Sequence, residues 1–234
     1  MKEIYKLIVS EVFYSIQGEG QTIGIPSVFL RLAGCNLLCK SADWICDTIE
    51  VWKKGRVKSF ENIFNEEQIY YLAHGAHLVI TGGEPLMHQN TIILFLNWFR
   101  NNYKFTPIIE IETNGTIIPY PILLDKVDYW NVSPKLPNSG MSFNRRVNEV
   151  ACNTIQTYGR KKIFKFVISK EEDLIPMLEE YNFIQPSNIM LMPAGDSVES
   201  LAITRKLVVE LCKQNQYRFS DRLHISIWNK KTGV

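Results

Sequence analysis

His77-Leu-Val-Ile-Thr-Gly-Gly-Glu-Pro85, with the helical periodicity from Gln89 to Asn102 behind it, decides the fold class. A short apolar run, a glycine pair carrying a carboxylate, and an amphipathic stretch make one strand–turn–helix unit. The pattern recurs outward in both directions. Ser27 to Leu32, Pro107 to Glu112, Asp128 to Val132, Lys161 to Ile168, Asn188 to Met192 and Leu223 to Trp228 read as strands. Asn65 with Gln68 forms a capping box that opens a helix through Ala73, ended by Gly75. Ser169 with Glu172 and Asp196 with Glu199 read as two more boxes, opening helices through Leu178 and toward Cys212. No Pro-, Gly- or Ser-rich linker divides the chain, so residues 1–234 are expected to form one domain. Strands alternating with helices predict an α/β fold with a mostly parallel sheet, open or curled into a partial (β/α) barrel.

Polar groups cluster where several of these strands end: Thr81-Gly-Gly-Glu-Pro85, Glu112-Thr-Asn-Gly115, Ser133-Pro-Lys135 and Met192-Pro193. Any turn needs Gly, Asn or Pro. Four such turns, three of them charged, predict a ligand site, because parallel strands bring their C-terminal ends to one face.

Composition narrows the class of ligand. With 26 Lys and Arg against 24 Asp and Glu, the net charge of +2 is too small for a sequence-independent nucleic-acid binder. The 46% hydrophobic and 21% charged content is that of a globular chain, which rules out wholesale disorder. No apolar run is long enough to span a membrane. Lys2, Glu3 and Lys6 interrupt the first apolar stretch, unlike a signal peptide, so a cytoplasmic location is expected.

In such a reducing compartment five cysteines do not suggest disulfides. Three of them, Cys35, Cys39 and Cys46, fall in the loop at residues 34–48, Gly34-Cys-Asn-Leu-Leu-Cys-Lys-Ser-Ala-Asp-Trp-Ile-Cys-Asp-Thr48. Three soft thiolates suit zinc or an iron–sulfur cluster. Structural zinc normally takes four ligands, and no fourth Cys or His is near in sequence. Three ligands would leave one iron of a [4Fe-4S] cluster open for chemistry. Cys152 and Cys212 stand alone and read as packed thiols; His74, His77, His88 and His224 have no ligand spacing. Trp98 and Phe99 read as core, and Lys53, Lys54, Arg56 and Lys58 as a solvated loop.

The three close cysteines and the later Gly-Gly-Glu-Pro resemble the radical S-adenosylmethionine (SAM) superfamily. Phe13-Tyr-Ser-Ile-Gln-Gly-Glu-Gly20, Pro26-Ser-Val-Phe-Leu-Arg-Leu-Ala-Gly-Cys-Asn-Leu37, Cys46-Asp-Thr48, Glu112-Thr-Asn-Gly115 and Asn131-Val-Ser-Pro-Lys135 narrow it. Together they resemble the 7-carboxy-7-deazaguanine synthase family of queuosine and deazapurine biosynthesis. The resemblance runs from about Glu11 to the C-terminus and is weakest from Glu50 to Ala76. One departure stands out. The family spaces its cysteines Cys-x3-Cys-x2-Cys, whereas six residues separate Cys39 from Cys46, an insertion of four at about Lys40 to Asp43. Closure entropy grows only logarithmically with loop length, so such an insertion is cheap.

The resemblance implies a carbon–nitrogen lyase in a curled, partial (β/α) barrel. It would convert 6-carboxy-5,6,7,8-tetrahydropterin to 7-carboxy-7-deazaguanine with loss of ammonia, using a [4Fe-4S] cluster, SAM and Mg2+. Cys35, Cys39 and Cys46 would hold the cluster, and Thr48 the magnesium ion. Ile45, Cys46, Asp47, Gly83, Glu84, Ser133, Pro134 and Lys135 would line SAM. Ile16, Gln17, Gly18, Glu19, Arg31 and Thr81 would meet the pterin, with Arg31 on its carboxylate. An electron donor such as flavodoxin or ferredoxin, and a homodimer, are also implied. Two alternatives share the cysteine loop: a radical-SAM activase that makes a glycyl radical on a partner protein, and a non-catalytic zinc or iron–sulfur module. An activase would not need the Gln-Gly-Glu-Gly segment or Thr48.

Overall fold

A computed structural model of the chain describes residues 5–41, 46, 48–231 and 233–234. The expected SAM contacts Ile45 and Asp47 lie outside the described residues, as do Ala42 and Asp43 of the insertion. The described strands are β1 (Lys6–Ile16), β2 (Pro26–Leu32), β3 (Arg56–Ser59), β4 (His77–Gly82), β5 (Ile109–Thr113), β6 (Tyr129–Val132), β7 (Lys161–Ile168), β8 (Ile189–Pro193) and β9 (Arg218–Phe219). They form one sheet in the order β3-β1-β2-β4-β5-β6-β7-β8-β9. From β2 to β9 every pairing is parallel; β1 runs antiparallel to both β2 and β3.

The helices are α1 (Ile49–Trp52), α2 (Glu66–Ala73), α3 (Gln89–Tyr103), α4 (Pro121–Lys126), α5 (Phe143–Arg146), α6 (Glu149–Tyr158), α7 (Leu174–Glu180), α8 (Val198–Asn215) and α9 (Leu223–Trp228). Strand side chains alternate between faces, and the two faces of this sheet differ in kind. Leu30, Ile80, Ile111, Trp130, Phe164 and Leu191 join one buried cluster with Phe95 and Phe99 of α3, Ile155 of α6 and Val208 of α8. Their neighbours along the same strands, Arg31, Thr81, Glu112, Asn131, Lys165 and Met192, line a cavity on the other face. A flat sheet would spread these six strands over roughly 24 Å. One cavity touches them all because the sheet curls, and it stays open, with β3 and β9 at its edges. This is the expected partial barrel.

Three local expectations change. The strand expected over Leu223 to Trp228 is α9. Its apolar–polar alternation has the period of a strand, but the sheet already ends at β9. Arg222, the residue before α9, is held by Glu19 and the Gly195 carbonyl, and the Leu223 N–H by the Gly18 carbonyl, which turns the chain across the barrel mouth. The box expected on Asp196 sits one residue later, with Ser197 capping Ser200. At α7, Asp173 rather than Ser169 makes the turn, accepting the N–H groups of Ser169 and Lys170. The Asn65–Gln68 box forms as read, with both reciprocal bonds.

Candidate active site

The cavity holds about 420 Å³, within the ordinary range for a small-molecule site. Cys35, Cys39, Cys46 and Thr48 form the cysteine wall of its lining; Ile16, Gln17, Gly18, Glu19, Arg31 and Thr81 form the ligand wall, and Gly83, Ser133 and Lys135 lie on the lining as well. Glu84 and Pro134 are outside that lining.

The cysteine wall is built by loop-to-turn contacts. The Cys46 N–H donates to the Cys39 carbonyl at 3.1 Å, closing the loop on itself. The Glu84 N–H donates to the Gly34 carbonyl at 2.9 Å, tying the turn after β4 to the start of the cysteine loop. Gly83 is needed for that approach, since a Cβ there would stand 2.2 Å from the Gly34 carbonyl oxygen. Asn114 and Thr116, beyond β5, bond the Asn36 side chain from a second side.

All three thiols are free of disulfides, and burial pushes Cys35 up to about 11 and Cys39 upward, with nearby Lys135 opposing the shift. Among the described residues no three His, Cys, Asp or Glu side chains are already drawn into a metal-holding cluster. The thiols thus surround a common cavity rather than a preset point. Three soft donors, with no fourth protein ligand beside them among the described residues, fit a [4Fe-4S] cluster with one open iron and do not complete a structural zinc site. Thr48 precedes α1 but makes no side-chain cap; its hydroxyl lies 3.5 Å from the Cys46 sulfur and remains available to a ligand.

Glu84, expected to reach SAM, is instead wholly buried under its turn. Its two oxygens accept the N–H groups of Leu86 and Asn114 and the Thr113 hydroxyl. It braces the turn and offers the cavity nothing directly. Pro134 lies behind the wall, in a small pocket with Leu136 and Ser139.

On the ligand wall a bulge in β1 between Val9 and Glu11 sets Glu11 across from Arg31. The Glu11 carboxylate accepts from Arg31 Nε at 2.7 Å, aligning the guanidinium and leaving its two Nη groups for a ligand. Gln17 is 2% exposed and donates to Glu110 and Glu112; Thr81 donates to Glu112 at 2.8 Å. Burial would raise the Glu19 pKa, but Lys165, Arg222 and His224 surround it and hold it well below the usual carboxylate range. Gly18 allows α9 to close in, because a Cβ there would meet the His224 ring at 2.2 Å.

Lys165, Arg222 and His224 were not legible as site residues. Lys165 sits in an apolar strand, and the other two in a stretch whose pattern is that of a strand. A buried-type strand interrupted by a single lysine was the one available signal.

Residues 16–119 match a family described as a 4Fe-4S single cluster domain. The 7-carboxy-7-deazaguanine synthase of Halobacterium salinarum is 32% identical, over 95% of this chain and 91% of that protein. That of Pyrobaculum aerophilum is 32% identical over 96% of each. The crystal structure of QueE from Escherichia coli superposes with a TM-score of 0.68 at 26% identity, covering 94% of this chain and 95% of that one. Neither the activase nor the zinc module is favoured by these relatives. With about a third of its residues shared end to end with chains of matching extent, and the same sheet beneath them, this chain belongs to the 7-carboxy-7-deazaguanine synthase family of radical SAM enzymes.

Proposed function

We propose that the cavity is where 6-carboxy-5,6,7,8-tetrahydropterin is converted to 7-carboxy-7-deazaguanine with loss of ammonia. The observation that carries this reading is that three thiols and the polar side chains of Arg31, Gln17 and Thr81 line one cavity. Bound together, a reduced [4Fe-4S] cluster and SAM supply one-electron chemistry that yields a carbon radical able to remove a hydrogen atom from the substrate.

The rest falls to the chain's own residues. Cys35, Cys39 and Cys46 hold three irons as thiolates, so cluster binding releases their protons. Gly83 gives SAM close access to backbone, with Ser133 and Lys135 alongside. The Arg31 Nη groups pair with the substrate carboxylate in bidentate fashion. Ile16, Gln17, Gly18 and Thr81 face the pterin, and Glu19 keeps Lys165 and Arg222 aligned beside it. The Thr48 hydroxyl ligates Mg2+, an ion that keeps most of its waters and needs few protein ligands. An electron donor such as flavodoxin or ferredoxin would be its redox partner, and the chain would work as a cytoplasmic homodimer.

Anaerobic incubation of the reconstituted protein with SAM, reductant, Mg2+ and the carboxypterin is the direct test. Formation of 7-carboxy-7-deazaguanine and ammonia is the expected result. Cleavage of SAM without a deazapurine product would assign the chain to another radical reaction.

A further inference from the structure

Glu110 is fully buried on β5, two residues before Glu112 and on the same side of the strand; it is not itself on the cavity lining but bonds two residues that are, Gln17 and Asn131. Three donors converge on it, two from the β1–β2 connection and one from β6. Gln17 Nε2 lies 2.7 Å from its Oε1, Thr22 Oγ1 2.6 Å from its Oε2, and Asn131 Nδ2 donates to Oε1 as well. His77 Nδ1 stands 3.5 Å from Oε2 without a hydrogen bond. A carboxylate buried among neutral donors is costly to retain unless every donor is well placed.

The consequence falls on Gln17. An amide nitrogen carries two hydrogens, and both are taken, one by Glu110 and one by Glu112 at 3.1 Å. With oxygens on that side the amide cannot turn over. Its Oε1 accepts one N–H, from Glu19 at 3.2 Å, and retains a second lone pair. Thr81 is in the same position, its proton given to Glu112. The wall formed by Gln17, Thr81 and Glu112 therefore has lone pairs to offer and no hydrogens.

We propose that Glu110 is a positioning residue that fixes Gln17 as a pure hydrogen-bond acceptor, so that this wall selects a ligand edge bearing N–H donors. The inference rests on the reading of Gln17 as ligand-facing. The amino group and ring N–H groups of a pterin satisfy such a wall. A heterocycle presenting oxygen or bare nitrogen there would set acceptor against acceptor, and unpaired polar groups in a closed site discriminate strongly.

The test compares Michaelis parameters for the carboxypterin and for SAM in reconstituted enzyme. In Glu110→Met neither carboxylate oxygen remains, so one Gln17 amide hydrogen loses its acceptor and is left free toward the ligand, with the amide held through Glu112 alone. The KM for the carboxypterin is expected to rise about tenfold or more, with kcat within about threefold and the KM for SAM unchanged. Glu110→Gln is expected to act much more weakly, because its oxygen can keep Gln17 and Asn131 while the Thr22 hydroxyl turns to accept from its nitrogen. An unchanged carboxypterin KM in Glu110→Met, a fall in kcat with a rise in both KM values, or a Glu110→Gln as impaired as Glu110→Met would overturn the proposal. Should Glu110→Met not fold, the unmodified protein still decides the matter by NMR. The Gln17 side-chain amide protons, assigned by their loss in Gln17→Met, should exchange slowly without ligand. If protection appeared only on adding pterin-6-carboxylate, Glu110 would not be what orients Gln17. A wild-type enzyme that ignores the carboxypterin would instead refute the assigned reaction, and the exchange measurement would still judge the clamp.

Discussion

The two walls of the cavity bury their ionisable groups in opposite ways. On the cysteine wall, burial raises Cys35 to about 11 and lifts Cys39 and Glu84, with hydrogen bonds and Lys135 offsetting it only in part. On the ligand wall, burial acts on Glu19 in the same direction, yet Lys165 and Arg222, with His224 beside them, reverse it. The first wall is short of positive charge, which suits a place where iron is to be bound. The second carries its own compensating charges and a network of internal hydrogen bonds, which suits a place that must hold its shape before the ligand arrives.

The largest expected effect breaks the first wall alone. Replacing Cys35, Cys39 or Cys46 with Ala should drop iron content after anaerobic reconstitution to near background, with loss of absorbance near ~400 nm. Cys152→Ala and Cys212→Ala should retain iron, because both thiols lie in the apolar cluster away from the cavity. Full iron in Cys46→Ala would show that the loop is not the cluster site.

Next comes the ligand wall. Arg31→Ala should weaken carboxypterin binding by about 2–5 kcal/mol, roughly thirty- to several-thousand-fold, with iron content unchanged. Arg31→Lys should recover only part, since an ammonium lacks the fork. Loss of cluster assembly with unchanged pterin affinity would place Arg31 on the wrong wall. Thr48→Ala, at the border of the two, should preserve iron and SAM binding while abolishing the Mg2+ dependence of turnover; retained dependence would remove Thr48 as the ligand.

The smallest effect concerns pH. Glu19 has a lowered folded-state pKa, so its contribution to stability is complete above the ordinary carboxylate range and drains away as pH falls below it. Lys165→Met removes one compensating cation. It should lower Tm near neutral pH by roughly 2–4 °C per kcal/mol lost and flatten the decline in Tm between about pH 5 and about pH 3. An unaltered slope would mean that Arg222 and His224 hold Glu19 without help.

Much of this was legible because it is local. A capping box spans four residues, and the Asn65–Gln68 box could be read letter by letter. Even so, the later boxes slipped by a residue or changed partners, because Ser197 and Asp173 compete with neighbours of similar chemistry. β1 and the edge strand β3 carry no clear strand signal in the sequence. Half of β1 is only partly buried, so its apolar alternation is weak.

What the sequence determined by itself was the alternation of strands and helices, the turns at the strand ends, and three thiols in one loop. Each of these is a matter of period or spacing along the chain. Only the tertiary structure decided which side chains complete the site. Glu19 meets Lys165 across 146 residues and Arg222 across 203, and Gln17 meets Glu110 across 93. No local period encodes such pairs. They exist because the sheet curls and brings the ends of β5, β6 and β7 under the segment that leaves β1, while α9 closes over the mouth. Burial there makes each donor and acceptor find a partner, and those partners fix the chemistry of the wall.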